Sequence, residues 1–353
     1  MRNTVSPLHG ANLSISEFLK QPQQWKQTVL GALCFSANPD QIQQYADMEI
    51  PCMHVPMQRL DAGDSICEVW HSNSRLTEGQ NGAIRYRHDD AVLFGVIELS
   101  ENMFAKSIDK TPLQQATELA YRQIFDLLDA LHYPYLFRFW NYIADINSHS
   151  FGMERYRQFN LGRQDAFLAH GRDVVGNVPA ACALGSAHGP LTIAFLAGHA
   201  APLSIENPRQ MSAYQYPQEY GPRSPTFSRA SLVRLGQDEV LFVSGTASIV
   251  GHETLHPADV LAQTRETMAN IEAVLEQANR HSSQPGFDLA SMHYKVYVRD
   301  SKNLVQIRME LERIIGTQPN AIYLQADVCR QDLLVEIEAT ASHTLMHVTG
   351  HSD

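Results

Sequence analysis

Val92-Leu-Phe-Gly-Val-Ile-Glu-Leu99 and Val240-Leu-Phe-Val-Ser244 are the two stretches on which the reading of the fold turns. Each is an apolar run of strand length. Each is followed, past a loop containing proline, by a long segment with helical periodicity: Pro112 to Leu131 after the first, Pro257 to Asn279 after the second. In the first helix Leu113, Ala116, Leu119, Ala120, Ile124, Leu127 and Leu128 fall on one face. In the second, Val260, Leu261, Thr264, Met268, Ile271, Val274 and Leu275 do the same. Pro112 and Pro257 suit the first helical turn, where a missing N–H costs no hydrogen bond.

Working outward, the parallel persists. A strand ending in Asp follows each helix, Tyr135 to Asp145 and His293 to Asp300. A second helix comes next, about Gly152 to His170 and Leu304 to Ile315, and each half closes with two strands. These are Ala180 to Leu184 with Leu191 to Leu196, and Ala321 to Ala326 with Leu333 to Ala339. A shared order at a spacing of roughly 140–150 residues reads as internal duplication. Residues 1 to 90 add strand-like runs at Val29 to Phe35, Ile50 to Pro56 and Ile66 to His71, expected to complete and embellish the first module. Between the modules, Ala201 to Leu232 carries five prolines and is rich in Tyr and Arg. A long irregular connection of this kind is usually functional or disordered, and its aromatic content argues against disorder.

The composition narrows the function classes. At 353 residues, 44% hydrophobic and 18% charged, the chain has the makeup of a globular protein. Lys+Arg number 27 against 38 Asp+Glu, a net charge of −11, which disfavours nucleic acid and anionic membrane as partners. No apolar run reaches the roughly 18 residues of a membrane span. Met1 to Leu13 lacks the apolar core of a secretory signal. The five cysteines are scattered without a CxxC pair, which argues against a disulfide framework or zinc ribbon and fits a reducing cytoplasm.

Particular residues then become recognisable. Ser244-Gly245, Gln263-Thr-Arg265, Asn270-Ile271, Val274-Leu275, Val296-Tyr-Val-Arg-Asp300 and Val335-Glu-Ile-Glu-Ala339 resemble the Rid (YjgF-like) family. The whole stretch from about Val92 to the C-terminus resembles the chorismatases, a family built from such modules. That match rests on Arg138-Phe-Trp-Asn-Tyr142, Glu154-Arg-Tyr-Arg-Gln-Phe-Asn160, the loop Ser212 to Arg223, Phe227-Ser-Arg-Ala230 and Cys329-Arg-Gln-Asp-Leu-Leu-Val-Glu336. The resemblance implies an α+β fold of two tandem Rid-like modules, each a mixed sheet with helices on one face. The expected division is 1–200 for the first module with its embellishments, 201–234 for an active-site connection, 235–345 for the second module and 346–353 for a tail. The activity implied is cleavage of chorismate to pyruvate and 3-hydroxybenzoate, with 4-hydroxybenzoate from some members. A sister branch hydrolyses chorismate to pyruvate and a dihydroxycyclohexadiene carboxylate. No cofactor is implied, and the oligomeric state is left open.

The chemistry follows from the substrate. Chorismate is a dianionic enol ether, and breaking the ether requires a proton on the terminal methylene carbon. A positioned acid that stays protonated near neutral pH meets that need. Glu336 lies in an apolar strand two residues before Glu338, so both carboxyls share one face. Burial and a neighbouring like charge each raise a carboxyl pKa. By alternation alone the pair reads rather as a solvated edge; the resemblance reverses this, because it aligns Glu336 with the family's proton donor. It also places Cys329 at the position that accompanies the hydroxybenzoate-forming branch, although a lone Cys is most often a small buried apolar residue. Arg155, Arg163, Arg223, Arg229 and Arg299 are candidates to pair with the two carboxylates, since guanidinium does so in bidentate fashion. Tyr156, Tyr214, Tyr216 and Tyr220 are candidates to donate to carboxylate or stack near the ring, and Gly245 to admit the ligand close to backbone.

His252-Glu-Thr-Leu-His256 matches the zincin pattern H-E-x-x-H. That pattern binds zinc only on a helix, whereas Gly251 precedes it and Pro257 follows, so it reads as a loop with no metal site. A Rid-like binding protein without catalysis is the remaining rival.

Overall fold

The computed structural model describes residues 8–38, 49–61, 63, 65–105, 109–284 and 286–342. The expectations for residues 1–7 and for the tail 346–353 lie outside the described residues. The two quoted stretches are strands, Val92–Leu99 and Asp238–Thr246, each in the interior of a six-stranded mixed sheet. In the first sheet the strand order is Ala180–Ser186, Tyr135–Ala144, Leu191–Gly198, Val92–Leu99, Ile84–His88, Thr77–Asn81. In the second it is Asn320–Gln325, His293–Val298, Val335–Ser342, Asp238–Thr246, Ala230–Leu235, Leu203–Ile205. The outermost pair on one side is parallel in both sheets and the remaining pairings are antiparallel. Sequence order, sheet order and strand direction all agree, so the fold is α+β with two tandem modules.

The helices pack where their periodicity requires. Pro112–Ala130 and Arg155–Ala169 cover one face of the first sheet, Val260–Asn279 and Leu304–Ile315 one face of the second. Thr111 caps the first by accepting from Gln114 N. Leu119, expected on its buried face, is 36% exposed. The second module's helix begins three residues later than expected, at Val260. Ala258 has a φ of 64°, outside helical geometry, and Asp259 accepts from Ala262 N to start the helix beyond it. Pro257 therefore belongs to the preceding turn.

Residues before 90 depart from expectation. Among the described residues before 90, only Thr77–Asn81 and Ile84–His88 join the first module's sheet. His9–Leu13, Ser65–His71, Val29–Ser36 and Cys52–Val55 form a separate four-stranded sheet in that order. Its pattern repeats the four strands at the parallel end of each module's sheet: one antiparallel edge, a central strand antiparallel to both neighbours, then a parallel pair. The insertion between its first two strands, which holds a long helix in the other two copies, carries only short ones here, six residues at Ile15–Lys20 and four at Gln23–Lys26.

The inner faces of all three sheets meet in one core. Phe35, Tyr142 and Tyr297, one from each sheet, lie together at its centre: the Phe35 and Tyr142 rings are 5.8 Å apart and the two tyrosine hydroxyls 3.0 Å. The ends of the parallel pairs are stitched by backbone bonds from Gln325 N to Gln58 O (2.8 Å), Ala187 N to Pro56 O (3.0 Å) and Gly185 N to Asp327 O (2.7 Å). No helix among the described residues is long and apolar enough to cross a membrane.

The cysteine expectation needs correction at one pair. Cys34 and Cys67, 33 residues apart, are disulfide-bonded between directly opposed positions of neighbouring strands. Linear spacing cannot reveal such a pair, because strand register brings it together. Cys52, Cys182 and Cys329 are free. Thiol titration of the denatured, unreduced protein is therefore expected to give three reactive thiols, rising to five after reduction. Closing a loop of this length stabilises by about 3–4 kcal/mol in the chain-entropy account, so the reduced protein should unfold at a lower denaturant midpoint. Five thiols before reduction would refute the pairing.

Candidate active site

Glu336 is the second residue of the Val335–Ser342 strand, directly opposite Tyr297. It is only 4% exposed, as is Glu338 two residues on. The solvated-edge alternative therefore fails: this face of the strand turns inward. The neighbouring strand makes room through a β-bulge. Val243 pairs with Ala339 and Thr246 with Ile337, so Ser244 and Gly245 together oppose Glu338. A Cβ on Gly245 would fall 2.0 Å from Glu336 Oε1 and 3.2 Å from Cys182 Cβ. The bulge is pinned to the first module, since Ser244 Oγ accepts from Ala181 N (2.9 Å) and donates to Ser228 O (2.6 Å).

Burial, with the Glu338 charge as the next cause, pushes the Glu336 carboxyl up to about 8. Arg138, Arg299 and the Cys329 thiol act in the opposite sense and are outweighed. Cys329 lies in the loop before the strand, its Sγ 3.9 Å from Glu336 Oε2. Burial and then the Glu336 carboxyl push that thiol up to about 12, so it is not a thiolate at neutral pH.

Both groups face a cleft of about 420 Å³ between the two modules. The first module contributes His149, Glu154, Tyr156 and Arg157, and the connection between modules contributes Tyr216, Tyr220, Phe227 and Arg229. Arg330, beside Cys329, stacks over Tyr220 (4.0 Å) and Tyr216 (5.2 Å) and donates to His252 O (2.8 Å). Arg229 donates to Met211 O (2.6 Å) and Tyr216 Oη (2.9 Å). Arg330 Nη2 and Arg229 Nε are buried donors with no acceptor in the protein. Such donors cost free energy unless a ligand satisfies them.

Of the candidate residues, the fold brings Tyr156, Tyr216, Tyr220, Arg229, Gly245, Cys329 and Glu336 to this cleft. Five others are placed elsewhere. Arg155 grips Glu101 and donates to Ala144 O (2.9 Å). Arg163 is 2% exposed, behind Tyr156, bonded to Asn160 Oδ1 (2.8 Å) and stacked on Phe159. Arg223 is exposed and Tyr214 is half-buried, both off the cleft wall. Arg299 spends its five N–H groups on Leu333 O, Asn147 Oδ1, Asp327 Oδ1, Val328 O and Arg330 O. It thereby shapes the loop that carries Cys329 and keeps no donor for a ligand.

Sequence reasoning passed over Arg157, Arg330 and Gln210, all on the cleft wall. Helical geometry held one clue: positions two apart on a helix point to different faces, so Arg155 and Arg157 cannot both face the cleft. His252 and His256 lie outside any helix. His252 Nδ1 is 3.3 Å from Tyr220 Oη, and His256 Nε2 is 3.2 Å from Glu266 Oε2.

Comparison with known proteins shows the family. Residues 68–197 match the family model for the N-terminal part of FkbO/Hyg5-like chorismatases, and residues 225–343 match the Endoribonuclease L-PSP model. A chorismatase of Streptomyces rapamycinicus is 38% identical over 286 residues, covering 79% of this chain and 83% of the relative. A 3-hydroxybenzoate synthase of Streptomyces hygroscopicus is 39% identical over 288 residues, covering 78% and 81%. A chorismatase crystal structure superposes with a TM-score of 0.82 at 31% identity, covering 96% of this chain and 99% of that one. The chain belongs to the chorismatase family.

Proposed function

We propose that this enzyme cleaves chorismate to pyruvate and 3-hydroxybenzoate, with Glu336 as the general acid. The observation that carries the reading is a buried carboxyl, pushed up to about 8 by its burial and by Glu338, facing a cleft walled by guanidinium groups with unsatisfied donors. The chain's net charge of −11 repels a dianion at long range, so binding depends on these local donors. Arg229 Nε and Arg330 Nη2 suit the two carboxylates, and Arg157 adds a third guanidinium to the wall.

Glu336 then gives its proton to the enolpyruvyl methylene carbon. The ring carbon–oxygen bond to the resulting oxocarbenium group then breaks as the neighbouring ring hydroxyl oxygen closes on that carbon; pyruvate leaves with the bonding pair and the hydroxyl proton returns to Glu336. The original carbon–oxygen bond of the epoxide opens, the proton on the newly oxygenated carbon is lost and the oxygen is protonated, which makes the ring aromatic. Hydroxybenzoate is chorismate minus pyruvate, with no net water. The diol product of the hydrolytic branch has gained one. Cys329 occupies the space beside Glu336 where an attacking water would stand, and its thiol remains protonated and able to exchange a proton. No step calls on a cofactor. A cytoplasmic location fits the three free cysteines. The Cys34–Cys67 disulfide weighs against it less than an exposed one would, because both residues are fully buried from reductants.

Four outcomes test this reading. Purified protein supplied with chorismate alone should release pyruvate and 3-hydroxybenzoate, identified by mass spectrometry. Activity lost to a chelator and restored by zinc would overturn the cofactor-free assignment. Glu336→Gln should lower kcat by about 10²–10⁴-fold, the usual worth of a positioned acid, with little change in substrate affinity. Because the acid must be protonated, wild-type kcat/KM should fall as pH rises through about 8. Cys329→Ala, which leaves room for water, should raise the dihydrodiol share while total pyruvate release falls less than in Glu336→Gln. An unchanged product ratio on chromatography would reduce Cys329 to a packing residue.

A further inference from the structure

Glu336 is not the only ionisable group in the core. Glu338 receives Arg138 Nη2 from the first module and Lys295 Nζ from its own, with Tyr297 Oη at 3.2 Å. Lys295 also contacts Glu68, a residue of the N-terminal sheet. Arg138, Lys295, Glu338 and Glu68 thus come from all three sheets, and their side chains are at most 13% exposed. Two cations meet two anions, so the set is balanced without Glu336. Arg299, the next cation, is already matched by Asp327.

We propose that Glu338 is a positioning residue: Arg138 and Lys295, with Glu68 completing the balance, hold it as a fixed negative charge that keeps Glu336 in its acid form. An ionised Glu336 would leave one uncompensated negative charge in the core, which the low-polarity interior disfavours. The other groups facing this pair are Cys182, Tyr142, Tyr297, Tyr156 and Cys329, and burial drives every one of them toward its neutral form. Burial alone would raise Glu338 as well; the Lys295 and Arg138 charges outweigh it and hold that carboxyl below its ordinary value. Arg138 also donates to Val243 O (3.1 Å), immediately before the bulge that receives Glu336. The same guanidinium therefore fixes both the charge and the backbone around the acid. In this arrangement the N-terminal sheet, which supplies no wall of the cleft, reaches the chemistry through Glu68.

This inference rests on Glu336 being the acid, and the pH–rate profile separates the two claims. Glu338→Gln removes the fixed charge, so the alkaline limb of kcat/KM should move down by about one to two pH units. The low-pH plateau should fall less than in Glu336→Gln. Glu338→Asp keeps the charge and should leave the limb near its wild-type position, even with lower kcat. Glu68→Gln should move the limb in the same direction by a smaller amount, and it carries the test if Glu338→Gln does not fold. A purely structural role for the cluster would depress the rate equally at every pH. A limb that stays at its wild-type position in folded Glu338→Gln and Glu68→Gln would overturn the proposal. A limb that persists unchanged in the residual activity of Glu336→Gln would instead overturn the assignment of the acid.

Discussion

Two carboxyls two residues apart on a buried strand share a face and lie about 6.6 Å apart along the chain. At that separation two full negative charges repel by about 2–3 kcal/mol even at an effective dielectric constant near 20. The protein cannot ionise Glu336 and Glu338 together without adding that cost to their desolvation. One must be paired and the other protonated, and the distribution of cations decides which. Arg138 and Lys295 both reach Glu338. Glu336 has a thiol at 3.9 Å and the bare Cα of Gly245 beside its carboxyl, with no cation among the described residues bonded to it. The division of labour between two chemically identical side chains is thus set by their neighbours.

The backbone carries the same asymmetry. An unbroken ladder would set one residue opposite Glu338 and continue with a Cβ where the Glu336 carboxyl now lies. The bulge at Ser244-Gly245 inserts an extra residue, and the absence of a side chain at Gly245 leaves the space. Ser244 ties that irregular segment to the strand and loop at 181 and 228, so the opening is held from the first module as well as the second. The cleft is consequently a property of the interface between modules, and neither module would form it alone.

The parts of this arrangement that were legible in the sequence are those with a period. Helices and strands repeated in order, and the i, i+2 spacing placed Glu336 and Glu338 together. What was illegible depends on register and on direction in space. Cys34 and Cys67 meet only because two strands pair in one of several registers. The N-terminal sheet escaped recognition because the helices between its first two strands are too short to show a period. Among the arginines, residue type signalled an anion clamp, but the partners were decided by the fold. Arg299 is spent on five acceptors in the Cys329 loop, whereas Arg330, one residue past Cys329, keeps a donor free.

The three sheets show how duplication within one chain permits a single acid. The residue opposite Tyr297 is Glu336; opposite the corresponding Tyr142 it is Thr192, and opposite Phe35 it is Ile66. Two residues further along the same strands are Glu338, Ala194 and Glu68. Three identical subunits would place three copies of every residue around the common core, six carboxyls if both positions held Glu, with no room to neutralise them. In a single chain the copies diverge. One keeps both carboxyls, one supplies Arg138 and apolar fill, and the third offers Glu68 as the counter-charge to Lys295. On the proposed assignment, the charge balance that keeps Glu336 in its acid form is therefore available only to a chain whose three copies differ.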